Sequence, residues 1–518
     1  TLFPYTTLFR SETADDMRRG LIAGDRPSFP RRPNRDGPVA VVDVGSNSVR
    51  LVVFDGPSRA PAYFFNEKVA CALGAEIART GRLAPAGVES ALATLRRFAG
   101  LAERMRVAAL DAVATAAVRD AEDGPAFVAR VERETGVRLR VVSGEEEARL
   151  SAVGALVGEP RAEGAVADMG GASMELAEIA DGAVGARLSL ALGPQRLAGL
   201  SGGGLRKRID AELARAVGAI RLEGRALYLV GGSWRAIAKL QMARAGHPLQ
   251  VLQGYRISAA EAADAAEWIM GQKPEALKAT PGVSAGRAAA APTAAAVLGR
   301  ILERLGPSEV CVSAFGLREG VYFEQLPSET QARDPLIEAA RRLERIQARF
   351  PGFGDELAVF VDPVVERWSK RERRLARAAC YLNDVNWRAH PDYRAVSCFE
   401  TVTRANIAGL DHADRVWLGF ALMNRYGGGK RSAEVAEALT LIDETARGRA
   451  KALGRAMRLG AMLSASAPGS LSDATLRVED GALTLGLGRD LIDLSGEVVE
   501  RRLSALADAL KLRAALSD

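Results

Sequence analysis

The sequence predicts an α/β protein: a duplicated α/β unit around a cleft, then a helical region, then a small α+β unit. Three observations carry this. A strand–loop–strand–hairpin pattern built on an Asp-x-Gly loop occurs twice in the first half. Amphipathic helical spacing runs from Leu336 to about Met462, as at Leu336, Ala339, Ala340 and Leu343. After Ser470, two short apolar runs (475–478 and 483–487) flank Glu479-Asp480-Gly481, a hairpin signal, and a helix from about Ser495 is expected to end the chain.

In the first unit an apolar run at 39–42 enters Asp43-Val44-Gly45-Ser46-Asn47-Ser48. A strand resumes at 51–54, turns at Asp55-Gly56 and returns over 62–69. In the second, 165–167 leads into Asp168-Met169-Gly170-Gly171-Ala172-Ser173. A strand at 174–179, a turn at Asp181-Gly182 and a return over 184–190 follow. Loop Asp to hairpin Asp spans 12 residues in one unit and 13 in the other. Such loops suit phosphate. Glycine permits positive φ and close backbone approach, and successive N–H groups form an anion nest. Ser46, Asn47, Ser48 and Ser173 add donors, and the strand-end Asp can hold a divalent cation.

Three further elements are candidates. Arg119 follows the apolar run 110–113 and can grip phosphate through its planar fork. Ser143 with Glu146 three residues on reads as a capping box, opening a helix to about Val157. Glu147 falls in its first turn, where the helix dipole favours the carboxylate and a cleft-facing carboxylate can activate water. Gly231-Gly232-Ser233 joins the strand 227–230 to a helix, a second kind of anion-binding turn. Bulky Trp234 and Arg235 follow at once, which argues against an adenosine pocket, while Glu147 beside a capped helix and the lack of a recognisable sugar-binding motif favour water as acceptor.

DVGSNS at 43–48, ATAAVR at 114–119, SGEEEAR at 143–149, DMGGASME at 168–175, Gly231-Gly232-Ser233 and SAFGLREG at 313–320 occur in one order. The set resembles the exopolyphosphatase / guanosine pentaphosphate phosphohydrolase (Ppx/GppA) family over everything after about residue 38. That resemblance implies two ribonuclease-H-like domains of the actin-like ATPase superfamily, at 38–158 and 159–328. A helical HD-like domain at 336–465 and a small α+β domain at 470–518 would follow. It implies Glu147 as catalytic base, with Arg119 and Glu175 as further catalytic residues. Asp43, Asp168 and Glu175 would serve a divalent metal. Gly45, Ser46, Asn47, Ser48, Gly170, Gly171, Ser173, Gly232 and Ser233 would hold substrate. Ala172 stands where many members carry glycine, which is tolerable if its φ stays negative. The implied cofactor is Mg²⁺, with K⁺ a candidate monovalent partner. The implied substrate is inorganic polyphosphate, with pppGpp, hydrolysed to ppGpp, as the alternative. A catalytically weak binding regulator is the alternative of another class, and a homodimer is expected.

Composition bounds the rest. Lys and Arg exceed Asp and Glu by only six, and 5 % of residues are aromatic, so no nucleic-acid partner is predicted. No apolar run reaches membrane-spanning length. Cys71, Cys311, Cys380 and Cys398 are widely spaced, which predicts a reducing, cytoplasmic setting. His390 and His412 lack metal-ligand spacing and read as structural or as dimer contacts, and no HD metal motif is found around Leu382-Asn383-Asp384. A basic cluster (Arg367, Lys370, Arg371, Arg373, Arg374, Arg377) is a candidate track for a long polyanion. Residues 1–37 read as a flexible, in part non-native, lead-in.

Overall fold

The computed structural model describes residues 37–428 and 432–517; the lead-in, up to residue 36, lies outside them. The first unit contains β1 (Val39–Val44), β2 (Ser48–Phe54), β3 (Tyr63–Ala70), β4 (Ala109–Ala114) and β5 (Leu139–Val141), in the sheet order β3-β2-β1-β4-β5. The second contains β6 (Gly164–Met169), β7 (Met174–Ala180), β8 (Ala183–Leu190), β9 (Ala226–Val230), β10 (Tyr255–Ser258) and β11 (Glu309–Val312), in the order β10-β11-β9-β6-β7-β8. The first order maps strand for strand onto β8-β7-β6-β9-β11, with β10 added as an antiparallel edge. In both sheets the hairpin strands are antiparallel and the next neighbour is parallel. The repeat seen in sequence is therefore a repeat of topology. β1 and β6 are buried almost throughout because structure covers both sheet faces, so they read as continuous apolar runs. At the edge, β3 alternates between half-buried and exposed positions.

Two helices tie the units together beside the cleft. Gly144–Gly158 crosses Leu317–Phe323 with backbone against backbone. A Cβ on Gly154 would sit 2.0 Å from the Gly316 carbonyl oxygen, and one on Gly320 1.9 Å from that of Leu150. Only glycine allows this approach, and it brings Glu147 and Arg318, near the two helix starts, to one cavity. The helix cap forms only in part. Ser143 Oγ accepts from the Glu146 amide at 3.1 Å, but the Glu146 carboxylate is taken by Arg149 at 2.8 Å instead of returning to Ser143.

The second half packs the helices Pro335–Gln347, Phe353–Val365, Lys370–Leu382, Arg394–Arg404, His412–Arg425 and Glu444–Leu463 around one core. Leu336, Ala339 and Ala340 are buried in it, and Leu343 packs against it. The core continues into a three-stranded sheet of β12 (Ala474–Glu479), β13 (Ala482–Leu487) and β14 (Arg513–Ser517). Here the structure corrects the sequence reading. The helix Glu497–Leu510 does not end the chain: Lys511, at φ +58°, stops it in a left-handed cap, and β14 pairs parallel with β13. Arg513-Ala514-Ala515-Leu516-Ser517 lacks the β-branched residues that would have marked a strand.

The helical region docks on the second unit. His412 is buried, with Nδ1 2.7 Å from His247 Nε2 and Nε2 2.9 Å from the Val251 carbonyl oxygen. It is a structural bridge, whereas His390 lies exposed beside Asp392. Arg371 pairs with Asp411 and Asp414, and Arg374 with Asp334, so two of the six cations in the candidate polyanion track are neutralised internally. All four cysteines are buried and free. Among the described residues, no helix is long and apolar enough to cross a membrane.

Candidate active site

The two Asp-x-Gly loops close in the same way. The Gly45 amide donates to the Ser48 carbonyl at 3.0 Å, and the Gly170 amide to that of Ser173 at 3.0 Å. Each follows its Asp at the end of a central strand and faces a cavity of about 420 Å³. Asp43, Gly45, Ser46, Asn47, Ser48, Glu147, Asp168, Gly170, Gly171, Ser173, Gly232 and Ser233 all line it. Arg119 and Glu175 do not; they stand against Glu147 instead.

Neither Gly45, Gly170 nor Gly171 adopts positive φ, and a Cβ on Gly45 or Gly170 would approach nothing closer than a carbonyl oxygen at 3.5 Å. A Cβ on Gly171 would meet Gln195 Oε1 at 2.8 Å. Ala172 also avoids positive φ, so the alanine is accommodated. The strained position is Gly231, at φ +107°, where a Cβ would lie 2.7 Å from the Met169 carbonyl oxygen and 2.8 Å from Asp168 Oδ1.

Carboxylates gather on the second loop's side. Arg119 Nη1 donates to Glu147 Oε2 at 3.1 Å and to the Val142 carbonyl at 3.3 Å, while its Nε is 3.1 Å from Asp120. Burial, then the Glu175 charge, push the Glu147 carboxyl well above the usual range, and Arg119 opposes them. Burial and the Glu175 charge thus work against the ionised form that the helix dipole and Arg119 favour. Glu175 accepts from Ser189 Oγ at 2.9 Å; burial raises it to about 7, with hydrogen bonds from Ser173 and Ser189 pulling it down. Burial also raises Asp168, against the hydrogen bond from Ser151 Oγ.

Cations supply what the motifs did not disclose. Arg50, Lys68, Arg235, Arg287 and Arg318 all line the same cavity. Arg318 Nη1 lies 3.1 Å from Asp43 Oδ2, and Arg235 Nη2 donates to the Ala314 carbonyl at 2.8 Å. The Nε atoms of both arginines are buried without a partner among the described residues. Burial, then Arg318 and Arg235, press Arg50 down to about 10, so it stays charged in a crowd of like charges. Such a wall favours a multivalent anion. Some of this was readable: Arg318 stands inside SAFGLREG, Arg235 lies two residues after Ser233, and Arg50 shares a face of β2 with Ser48. Trp234, read as an obstacle to adenosine, instead points into the core and is fully buried.

Residues 37–329 match the model of the Ppx/GppA phosphatase family, and residues 336–516 that of the exopolyphosphatase C-terminal region. The chain belongs to the Ppx/GppA phosphatase family. It is 36 % identical over 162 residues to "Exopolyphosphatase 1" of Mycobacterium tuberculosis, a match covering 31 % of this chain and 47 % of that protein. The chain thus spans about half the length of such curated relatives. It is 24 % identical over 434 residues to "Retrograde regulation protein 2" of Saccharomyces cerevisiae, covering 75 % of this chain and 72 % of that one. The crystal structure of an exopolyphosphatase from Cytophaga hutchinsonii shares the fold: TM-score 0.50 and 21 % identity, over 56 % of this chain and 97 % of the other.

The donor set of this Ppx/GppA chain suits an open divalent site. Among the described residues, no group of three or more His, Cys, Asp or Glu could hold a metal by itself. Asp43 and Asp168 reach the cavity, each already engaged by one neighbour. Mg²⁺ keeps several waters and takes phosphate oxygens, needing one or two carboxylates. Glu175 is buried outside the cavity lining and lacks that access.

Proposed function

We propose that this chain hydrolyses the terminal phosphoanhydride bond of inorganic polyphosphate and releases orthophosphate. The observation that carries the reading is Glu147. Its carboxylate is oriented by Arg119 at 3.1 Å and lines a cavity shared by two phosphate-type loops and five cations. A terminal phosphoryl group held by the loop amides presents its phosphorus to an in-line water. Glu147 accepts a proton from that water as the new P–O bond forms. The bridging P–O bond breaks, and its electron pair leaves on the shortened chain. Charge on the leaving oxygen and the equatorial oxygens is met by Arg50, Arg235, Arg287 and Arg318. In its ionised form, Glu147 with its raised pKa is a stronger base than an exposed glutamate. A divalent ion, held by Asp168 and Asp43, would neutralise further phosphate charge.

Hydrolysis is favoured over transfer to a sugar because Arg235 and Arg287 occupy the wall beside Gly232, where a nucleoside would need room. The same chemistry would convert pppGpp to ppGpp, and parallel phosphate release from the two substrates ranks them. A binding-only regulator is the second reading, suggested by the likeness to a protein named for regulation; it requires the native chain to bind polyphosphate without releasing phosphate. The test is Glu147→Gln. Phosphate release should fall by about 10³-fold, within the range of general-base contributions, while polyphosphate affinity stays within about threefold. Retained turnover in that variant removes Glu147 from the chemistry.

A further inference from the structure

A second basic cavity, of about 470 Å³, lies in the helical region and shares no residue with the cleft. Arg349, Arg394, Arg425 and Arg458 line it. The carboxylate opposing them is Asp384, which Arg349 already grips with two bonds of 2.8 Å. Arg425 is 6 % exposed, and burial lowers its pKa. Its Nε is buried without a partner, and among the described residues its guanidinium makes no hydrogen bond or ion pair. Arg458 likewise has no hydrogen-bond or ion-pair partner among them. Burial, then Arg502 and Arg425, lower its pKa.

A buried, unpaired guanidinium costs stability. Structural explanations cover part of the cluster only. The carbonyl end of the His412–Arg425 helix favours cations, and the Tyr426 ring carries Arg425 at 4.6 Å and Arg394 at 5.4 Å. Neither satisfies the free donors of Arg425 and Arg458. An adjoining cavity shares Arg458 and adds Lys451, Arg455 and Arg502, so the positive field extends past the first wall. The rest of the lining is largely apolar: Pro391, Ala465 and, one turn on from Arg458 in the same helix, Ala461 and Met462, the last 48 % exposed. Arginine forks beside an apolar patch suit a ligand with phosphates at one end and a flat apolar group at the other.

We infer that this cavity is a second ligand site, for a nucleoside polyphosphate. Its phosphates meet Arg425, Arg458 and Arg394, and its base lies against Pro391 and Met462.

The test is equilibrium calorimetry on the full chain in EDTA, with GTP, ATP and inorganic tripolyphosphate as probes. The account expects GTP or ATP to bind at least tenfold more tightly than tripolyphosphate at this site. Arg458→Ala should weaken that binding at least tenfold and leave phosphate release from polyphosphate unchanged. Arg50→Ala, in the cleft, should leave it intact. Arg425→Met risks misfolding, so half-buried Arg394 provides the second variant: Arg394→Ala should weaken nucleotide binding as Arg458→Ala does. Nucleotide binding indifferent to both variants overturns the proposal, as does tripolyphosphate binding at this site, read as the part lost in Arg458→Ala, as tightly as either nucleotide. Loss of all nucleotide binding in Arg50→Ala also overturns it, by placing the ligand in the cleft.

Discussion

The two loops of the cleft are one structure with two electrostatic fates. Asp43 pairs across its hairpin with Arg50, and Arg50 with Lys68. At the equivalent positions, Asp168 pairs with Glu175, and Glu175 with Ser189. Asp43 is held by an arginine, Arg318, and Asp168 by a hydroxyl, that of Ser151. The same turn, closed by the same 3.0 Å bond, thus presents cations on one side and buried acids on the other. Repetition supplied two matching loops, and substitution at equivalent positions gave one a cation and the other an acid, which in the proposed function separates holding an anion from activating water.

The largest way to break this asymmetry is Glu147→Gln, with its loss of about 10³-fold in turnover and little change in binding. Next is Gly231→Ala. Its φ of +107° and the 2.7 Å approach to Met169 disfavour any side chain, so a loss of about 1–3 kcal/mol in unfolding free energy is expected by chemical denaturation. Arg50→Gln comes third: removing one charge-assisted phosphate contact should raise KM about tenfold, with kcat within about threefold.

The smallest expected effect reads the acidic side by pH. Glu175 titrates near 7 when folded, above its unfolded value. The group therefore adds stability that is fully present below its unfolded pKa and is lost as pH rises through about 7. In EDTA, the Tm advantage of Glu175→Gln over the native chain should grow from pH 5 to pH 8. A pH-independent difference would show that Glu175 is not held protonated by burial.

Much of this was legible because it is local. The Asp-x-Gly loops, the β1/β2 and β6/β7 hairpins and Glu147 in a first helical turn each lie within one short stretch of sequence. Arg50, Lys68 and Arg287 were silent, because strand pairing and helix docking place them in the cleft across long separations. Arg119 and Glu175 were read as site residues, but that they bracket Glu147 depends on how β7 and the Gly144–Gly158 helix meet. Trp234 misled for the same reason: a helix position does not state which way its side chain faces. β14 was missed because its pairing with β13 owes nothing to its own composition.

The central claim is the division of labour between two matched positions. Steady-state phosphate release from polyphosphate by Arg50→Gln and Glu175→Gln, each measured across pH, tests it most directly. The account predicts that Arg50→Gln moves KM and its salt dependence while keeping the native pH profile of kcat. Glu175→Gln should shift the acid limb of kcat to lower pH, by removing a charge that raises Glu147, and leave KM nearly unchanged. Both variants moving the same parameter, in the same direction and without a pH signature, would contradict it.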